Sequence, residues 1–174
     1  MRKRKKKAVI TIRFIRVAAK KRKALFYREC RLDGVRLLGG YEIQSTRHSK
    51  RVLITNRDDL HQAIGLHLAT QKKMLSGKEL RFLRKHMALT QVGLGNVLGI
   101  GWQQLGRYEQ GKNKIVGPVI LLVRALFIQS VGGEVNIRGL STALADSGAP
   151  GKGELVFDYT AQGWRAITAA QTAA

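Results

Sequence analysis

The chain has 174 residues, enough for one ordinary domain with extensions or for two small domains. Its 32 lysines and arginines outweigh 11 acidic residues, and the resulting net charge of +21 favours a polyanionic partner. The single cysteine excludes an internal disulfide and a multi-cysteine zinc cage, and no apolar run approaches the roughly 20 residues of a membrane span.

The positive charge is concentrated at the start of the chain. Residues 1–23 carry 12 basic and no acidic side chains, so we expect a disordered or strand-like arm, with residues 8–17 as the candidate strand. A solvated tail and a segment that tracks nucleic acid have the same composition, and both remain open. Basic residues interrupt the apolar stretch, which argues against a secretory signal. We expect a cytoplasmic, nucleoid-associated protein with no membrane contact.

Residues 24–75 predict a small α+β module. Turn residues separate three strand-like runs, over residues 24–29, 35–44 and 51–55. Asp58-Asp59 then begins a predicted helix that extends to about Lys72. On that helix we expect His67 on the apolar face and His61 in water.

Capping and turn residues predict four helices within residues 76–129. The predicted helices follow Ser76, Thr90, Gly101 and Gly117. Glu79 completes a capping box in the first helix, and Gly99 ends the second, in which Val97 is expected to face inward. Two short helices joined by a tight glycine turn have helix-turn-helix geometry, so residues 102–110 are the candidate recognition helix.

Gln103 and Arg107 lie one turn apart on the predicted outer face of that helix. Arginine can bond guanine and glutamine can bond adenine in the major groove, each through two hydrogen bonds. Trp102 and Gln104 are further candidates for base contacts. The same spacing is typical of a small helical bundle with a solvated polar face, so the spacing leaves both interpretations open.

Three residues just past the recognition helix are candidates for phosphate contacts. They are Lys112, Asn113 and Lys114. Phosphate contacts set the register of a protein on DNA, whereas base contacts read its sequence.

Three motifs in this region resemble the Cro/repressor-like (XRE-type) helix-turn-helix family. They are Leu89-Thr90-Gln91, Leu98-Gly99-Ile100 and Arg107-Tyr108-Glu109-Gln110-Gly111-Lys112. The run from Leu75 to Lys85 is similar to the MqsA-type antitoxin/regulator subfamily, in which a zinc ribbon precedes the helix-turn-helix. The resemblance implies a homodimer on palindromic double-stranded DNA, and a toxin protein as a second partner.

The resemblance also implies roles for individual residues. Gln91 matches the glutamine that contacts phosphate at the start of the second helix. Gln103 and Arg107 match the positions that read bases. Arg84 and Glu109 match the ion pair that locks the recognition helix in place.

Several glycines depart from the family pattern or from good helix formers. Gly101 stands where the family prefers a Ser or Thr N-cap, a change that costs roughly a few tenths of a kcal/mol. Gly93, Gly95 and Gly106 lie inside predicted helices, where each costs roughly 0.5–1 kcal/mol relative to alanine. Gly95 matches a position that the family keeps small for close packing, and no such reason is evident for the other two.

The Cys30–Gly34 segment resembles one knuckle of a zinc ribbon, with Asp33 in place of the second cysteine. The partner knuckle, expected near residues 54–59, has no cysteine. A zinc ribbon needs four ligands, and here Cys30 and Asp33 with His48 or His61 would have to suffice. We therefore expect a remnant that holds no metal or other cofactor. Its strands would be held by apolar packing of Leu25, Tyr27, Leu37, Tyr41, Val52 and Ile54.

The C-terminal part predicts a linker followed by a hairpin. Residues 130–150 are rich in small and turn residues, and residues 153–159 and 163–167 alternate as hairpin strands do. Isolated hairpins are marginally stable. This hairpin must therefore form a dimer contact, pack on its own domain or pair with the strands of residues 24–56.

The sequence thus predicts a mainly α protein. Its parts are a basic arm (1–23), a degenerate ribbon-like α+β module (24–75), a lambda-repressor-like helix-turn-helix bundle (76–129) and a linker with a β-hairpin (130–174). No catalytic motif appears, so an enzyme is not expected. The predicted function is transcriptional regulation, as a repressor or an autoregulating antitoxin. Two alternatives stay open, a basic protein that coats nucleic acid and a toxin-neutralising module that does not read DNA.

Overall fold

The computed structural model of the protein describes residues 13–15, 24–45, 50–146 and 154–167, which form seven strands and six helices. The strands are β1 (Arg13–Ile15), β2 (Leu25–Phe26), β3 (Val35–Leu37), β4 (Tyr41–Ser45), β5 (Lys50–Ile54), β6 (Leu155–Thr160) and β7 (Gly163–Ile167). The helices are α1 (Arg57–Thr70), α2 (Gly77–His86), α3 (Gln91–Leu98), α4 (Trp102–Glu109), α5 (Gly117–Ser130) and α6 (Ile137–Asp146). Among these residues, no helix combines the length and the apolar character that crossing a bilayer requires.

The strands belong to two sheets. One is antiparallel, with the strand order β1-β4-β5. The other has the order β2-β3-β6-β7 and is mixed, because β3 and β6 run parallel with Val35 opposite Leu155. The predicted C-terminal hairpin is confirmed as β6-β7. It pairs with a strand of residues 24–56, the third of the placements that the sequence left open.

The prediction of a mainly α protein is wrong. Two sheets and six helices among the described residues make an α+β fold rather than a helix-turn-helix bundle with small additions. The mixed sheet, which the prediction lacked, is created by the β3–β6 pairing. There the amide of Leu155 donates to the carbonyl of Gly34 at 2.9 Å. Parallel strands need a long crossover between them, so a local residue pattern carries no information about this pairing.

One hydrophobic core joins the mixed sheet to α1 and the helices that follow it. The fully buried side chains of α1 are Leu60, Ile64, Leu68 and Ala69. The ring of His67 meets the buried Phe157 of β6 edge-on, with centroids 6.1 Å apart. On the other side of α1, a Cβ at Gly65 would lie 2.1 Å from the Phe127 ring, so this glycine allows α1 and α5 to approach closely. The sheet and the helices therefore form one packed body.

Three expectations for α1 and the ribbon strands are wrong. Asn56, in the left-handed region at φ 44, is the N-cap of α1 but makes no side-chain capping hydrogen bond, so Asp58-Asp59 does not cap the helix and lies in its first turn. His61 does not face water: it is half-buried, and its Nε2 lies 2.7 Å from the Tyr27 hydroxyl. Val52, expected in the ribbon core, is 37% exposed, because β4–β5 and β2–β3 belong to different sheets.

Helix α6 occupies part of the segment that was predicted to be a linker, so that prediction is wrong for Ile137–Asp146. Asn136 accepts a hydrogen bond from the Gly139 amide at 3.0 Å, a local start signal hidden among small residues. Most of the predicted basic arm, residues 1–12 and 16–23, lies outside the described residues. Its residues 13–15 form β1.

Candidate nucleic-acid interface

A tight glycine turn joins the short helices α3 and α4. Thr90 caps α3, since its Oγ1 accepts a hydrogen bond from the Gly93 amide at 2.9 Å. Gly99 ends the helix at φ 67, a left-handed conformation that glycine adopts without strain. The Ile100 amide then donates to the Gly95 carbonyl at 2.9 Å, so the turn folds back onto α3.

The interior glycines of this pair differ in how much space surrounds them. A Cβ at Gly95 would lie 2.7 Å from the Ile100 carbonyl oxygen, so the close packing there requires glycine. A Cβ at Gly93 would lie 3.2 Å from the oxygen that caps α3, a tight contact. A Cβ at Gly106 would lie 3.8 Å from the Gln91 side chain, an ordinary contact, so nothing around Gly106 requires glycine.

The two sides of α4 have opposite character. Its inward side chains are Leu105 (0% exposed) and Tyr108 (5%). The predicted base-contact residues lie mainly on the other side: Trp102 is 53% exposed, and Gln103 and Arg107 are exposed as well. Gln104 is only half-buried. The outer face of α4 therefore offers an amide, a guanidinium and an indole to a partner.

A buried ion pair holds the C-terminal end of α4 against α2. Arg84 Nε lies 2.5 Å from Glu109 Oε1, and Arg84 Nη2 donates to Glu109 Oε2 at 2.9 Å. The third nitrogen, Nη1, donates to the Leu89 carbonyl at 2.8 Å. Both charged groups are 8% exposed, and a two-bond pair of this kind is strong and geometrically specific. It fixes the orientation of α4 relative to α2.

Gln91, the candidate phosphate contact, lies beside this pair. Its Nε2 donates to Glu109 Oε2 at 2.9 Å, which ties the first turn of α3 to the last turn of α4. A hollow of about 550 Å³ opens there, and its walls include Arg81, Gln91 and Trp102. An exposed cation, a helix start and an indole therefore border one concave surface, which suits an anionic group.

The other candidate phosphate contacts follow α4 in an exposed loop. The Lys112 amide donates to the Arg107 carbonyl at 2.9 Å, which fixes the start of the loop on the helix. Asn113 Nδ2 donates to Gln104 Oε1 at 3.4 Å. Lys112, Asn113 and Lys114 are all exposed, and they follow the end of α4 that carries Arg107. The loop thus extends the polar surface of α4 with two ammonium groups.

The residues of the zinc-knuckle resemblance do not converge on a common centre. The Cys30 thiol is buried, donates to the Tyr27 carbonyl at 3.5 Å and has a raised pKa because of that burial. Asp33 is exposed and pairs with Lys78 at 2.7 Å. Within the described ranges no three His, Cys, Asp or Glu side chains are grouped as metal ligands would be. His48 lies outside those ranges.

Sequence reasoning missed or misplaced three side chains of the helical part. Arg81, which borders the hollow, was assigned no role. Arg124 of α5 is fully buried, a position that a cationic residue rarely takes without a partner. Val97 was predicted to face inward but is 52% exposed, because so short a helix buries only one narrow stripe.

The resemblance to the Cro/repressor-like family rests on the sequence motifs alone, because comparisons with known proteins add no support. No family model, no curated protein and no solved structure matches the chain. Function is therefore inferred from the α3–α4 surface and the contacts that hold it.

Proposed function

We propose that the protein is a sequence-specific, double-stranded DNA-binding transcriptional regulator with α4 as its recognition helix. One observation carries the proposal: the exposed Gln103 and Arg107 lie on a helix whose C-terminal end is fixed by the buried Arg84–Glu109 pair. Reading base edges requires donors and acceptors held in a fixed geometry, and the pair supplies that rigidity.

Phosphate contacts complete the proposed interface. The candidate groups are Gln91 at the start of α3 and the exposed Lys112 and Lys114 just after α4. Contacts of this kind set the register on the duplex and carry most of the salt-dependent affinity. The net charge of +21 adds long-range attraction to any nucleic acid.

Duplex DNA suits this surface better than duplex RNA does. An α-helix such as α4 fits the roughly 12 Å wide major groove of B-form DNA. The major groove of A-form RNA is too deep and narrow for side chains to read. The resemblance to Cro/repressor-like proteins supports a repressor that binds a palindromic operator as a homodimer, and a toxin partner is supported by that resemblance alone.

Two substitutions separate base reading from phosphate binding. Arg107→Ala removes the candidate guanine contact and should cost about 1–3 kcal/mol on a selected duplex while relaxing one base position. Lys112→Ala should weaken selected and random duplexes equally and lower the slope of log K against log salt by about one unit. Fluorescence anisotropy at several salt concentrations measures both effects.

Arg138→Ala on the distant helix α6 is the matched control, because Arg138 is an exposed arginine outside the interface. It should change neither the base preference nor the selected-over-random ratio. Equal losses on selected and random duplexes for Arg107→Ala would contradict base reading by α4 and favour a coating protein. Absence of duplex binding together with a co-purifying toxin would favour the protein-interaction alternative.

A further inference from the structure

A second concave surface lies along α2, at the edge of the core. It is a cleft of about 720 Å³ between the turn at Glu29–Arg31, the first turns of α1 and one side of α2. Small-molecule sites in proteins commonly have volumes of roughly 300–1,000 Å³. The described residues leave this space open, and none of the proposed DNA contacts occupies it.

Aromatic rings form the floor of the cleft. Phe82 is 9% exposed, and its ring lies nearly parallel to that of His86, at 15° and 6.4 Å. His61 meets Phe82 edge-on at 5.7 Å, and its contact with the Tyr27 hydroxyl fixes its orientation. Burial lowers the pKa of His61 and of His86, so both rings are neutral at neutral pH. The floor is a surface on which a flat ring can stack.

Cations form one edge of the cleft. Arg81 and Lys85 lie one turn apart on the exposed side of α2, next to the stripe that carries Phe82 and His86. Arg31 faces them from the opposite turn, with its backbone in the left-handed region at φ 59, where residues other than glycine are uncommon. Among the described residues none of these three cations is ion-paired.

Carboxylates also line the cleft, but most of their charge is compensated. Glu109 is paired with Arg84, and Asp58 lies in the first turn of α1, where the helix dipole stabilises a negative charge. Glu29 is the remaining carboxylate. The unpaired cations of the edge therefore outnumber the uncompensated carboxylates, and the net charge of +21 reinforces the preference for an anion.

We propose that this cleft binds a small aromatic carboxylate, with its ring on the Phe82 and His86 rings and its carboxylate on Arg81 and Lys85. The planar guanidinium of Arg81 can donate two parallel hydrogen bonds to a carboxylate, and Lys85 adds a second positive charge. The ring and the charge are both needed: the floor alone would take a neutral ring and the edge alone would take inorganic anions.

Indole-3-carboxylate, indole and tryptamine test this site, since they share one ring and carry negative, zero and positive charge. Each is titrated into the full chain without DNA, and the imidazole NMR signals of His61, His86 and His67 are followed. His67 is the internal reference, because it packs on Phe157 away from the cleft. Indole-3-carboxylate should shift His61 and His86 saturably and bind at least about tenfold more tightly than indole. Tryptamine should bind more weakly still.

Lys85→Gln tests the edge, and Lys112→Gln is its control at the proposed DNA surface. Lys85→Gln should weaken indole-3-carboxylate several-fold and leave indole binding unchanged, whereas Lys112→Gln should bind both as the wild type does. The amide spectrum of each variant verifies its folding. Equal affinity for indole and its carboxylate, a shift at His67, or the lack of a saturable shift would overturn the proposal. Because no DNA is present, such a failure would leave the proposed function untouched.

Discussion

Two buried arginines, at two different helix contacts, differ in how many of their side-chain nitrogens have hydrogen-bond acceptors. Arg84, between α2 and α4, directs all three side-chain nitrogens to acceptors, two of them on Glu109. Arg124, on α5, is fully buried and donates only to the Lys72 carbonyl; its Nε and Nη1 have no hydrogen-bond partner among the described residues. Burial lowers the pKa of Arg124 to about 10, whereas nearby Glu79 acts in the opposite direction.

The difference shows where a buried cation contributes order and where it costs stability. A desolvated charge is stabilised only if a complementary partner replaces the water that it loses. Arg84 has that partner, so it fixes the geometry of α4, the helix that we propose reads DNA. Arg124 fills space between helices but leaves donors without acceptors, so its charge is expected to oppose folding.

The largest effect should come from breaking the satisfied pair. Glu109→Ala leaves the Arg84 guanidinium buried without its carboxylate and removes the acceptor of Gln91. We expect the free energy of unfolding, measured with urea, to fall by about 3–5 kcal/mol. Glu109→Gln keeps an acceptor oxygen without the charge and should lose less. A loss below about 1 kcal/mol for Glu109→Ala would mean that the pair does not hold α4.

Removing the unsatisfied cation should have the opposite sign. Arg124→Met keeps a long flexible side chain and removes two unpaired donors, so we expect the free energy of unfolding to rise by about 1–3 kcal/mol. Glu79 keeps its own partners, Lys72 and the Ser76 amide, so no carboxylate is left unpaired. Arg84→Met is the matched contrast and should destabilise. A large loss in Arg124→Met would show that the two arginines are equivalent after all.

The smallest effect concerns two glycines, one in α3 and one in α4. Gly106→Ala should raise the free energy of unfolding by roughly 0.5–1 kcal/mol, because alanine is the better helix former and the space is available. Gly95→Ala should lower it, since its Cβ would meet the Ile100 carbonyl at 2.7 Å. Urea titration of both variants measures the difference. If both substitutions changed the free energy of unfolding in the same direction, close packing between α3 and the turn at Gly95 would be contradicted.

Local signals predicted the bounds of α2 and α3, but they missed α6, and the fold class was wrong because it depends on a long-range strand pairing. The capping box of Ser76 and Glu79 is confirmed, as are the Thr90 cap and the Gly99 stop, because each depends on residues within one turn. The parallel β3–β6 pair depends on two segments at opposite ends of the described chain. No local pattern encodes it, and the sequence offered pairing with residues 24–56 only as one of three placements for the hairpin that contains Leu155.

The candidate site shows the same division. The spacing of Gln103 and Arg107 placed them on the outer face of α4, where both are exposed. The Arg84–Glu109 contact could be expected only from the family resemblance, because nothing local joins the two residues. The cleft beside α2 could not be predicted from the sequence, because its floor and edge come from three segments. Only the fold brings Arg31 opposite Arg81.

The most direct measurement of the central claim is selection of duplexes from a random pool by the full chain, repeated with Arg107→Ala. We expect the wild type to enrich one recurrent sequence, with two-fold symmetry if the homodimer forms. Arg107→Ala should enrich the same sequence with one base position relaxed. Enrichment of no sequence by the wild type, or an identical preference in the variant, would contradict DNA reading by α4.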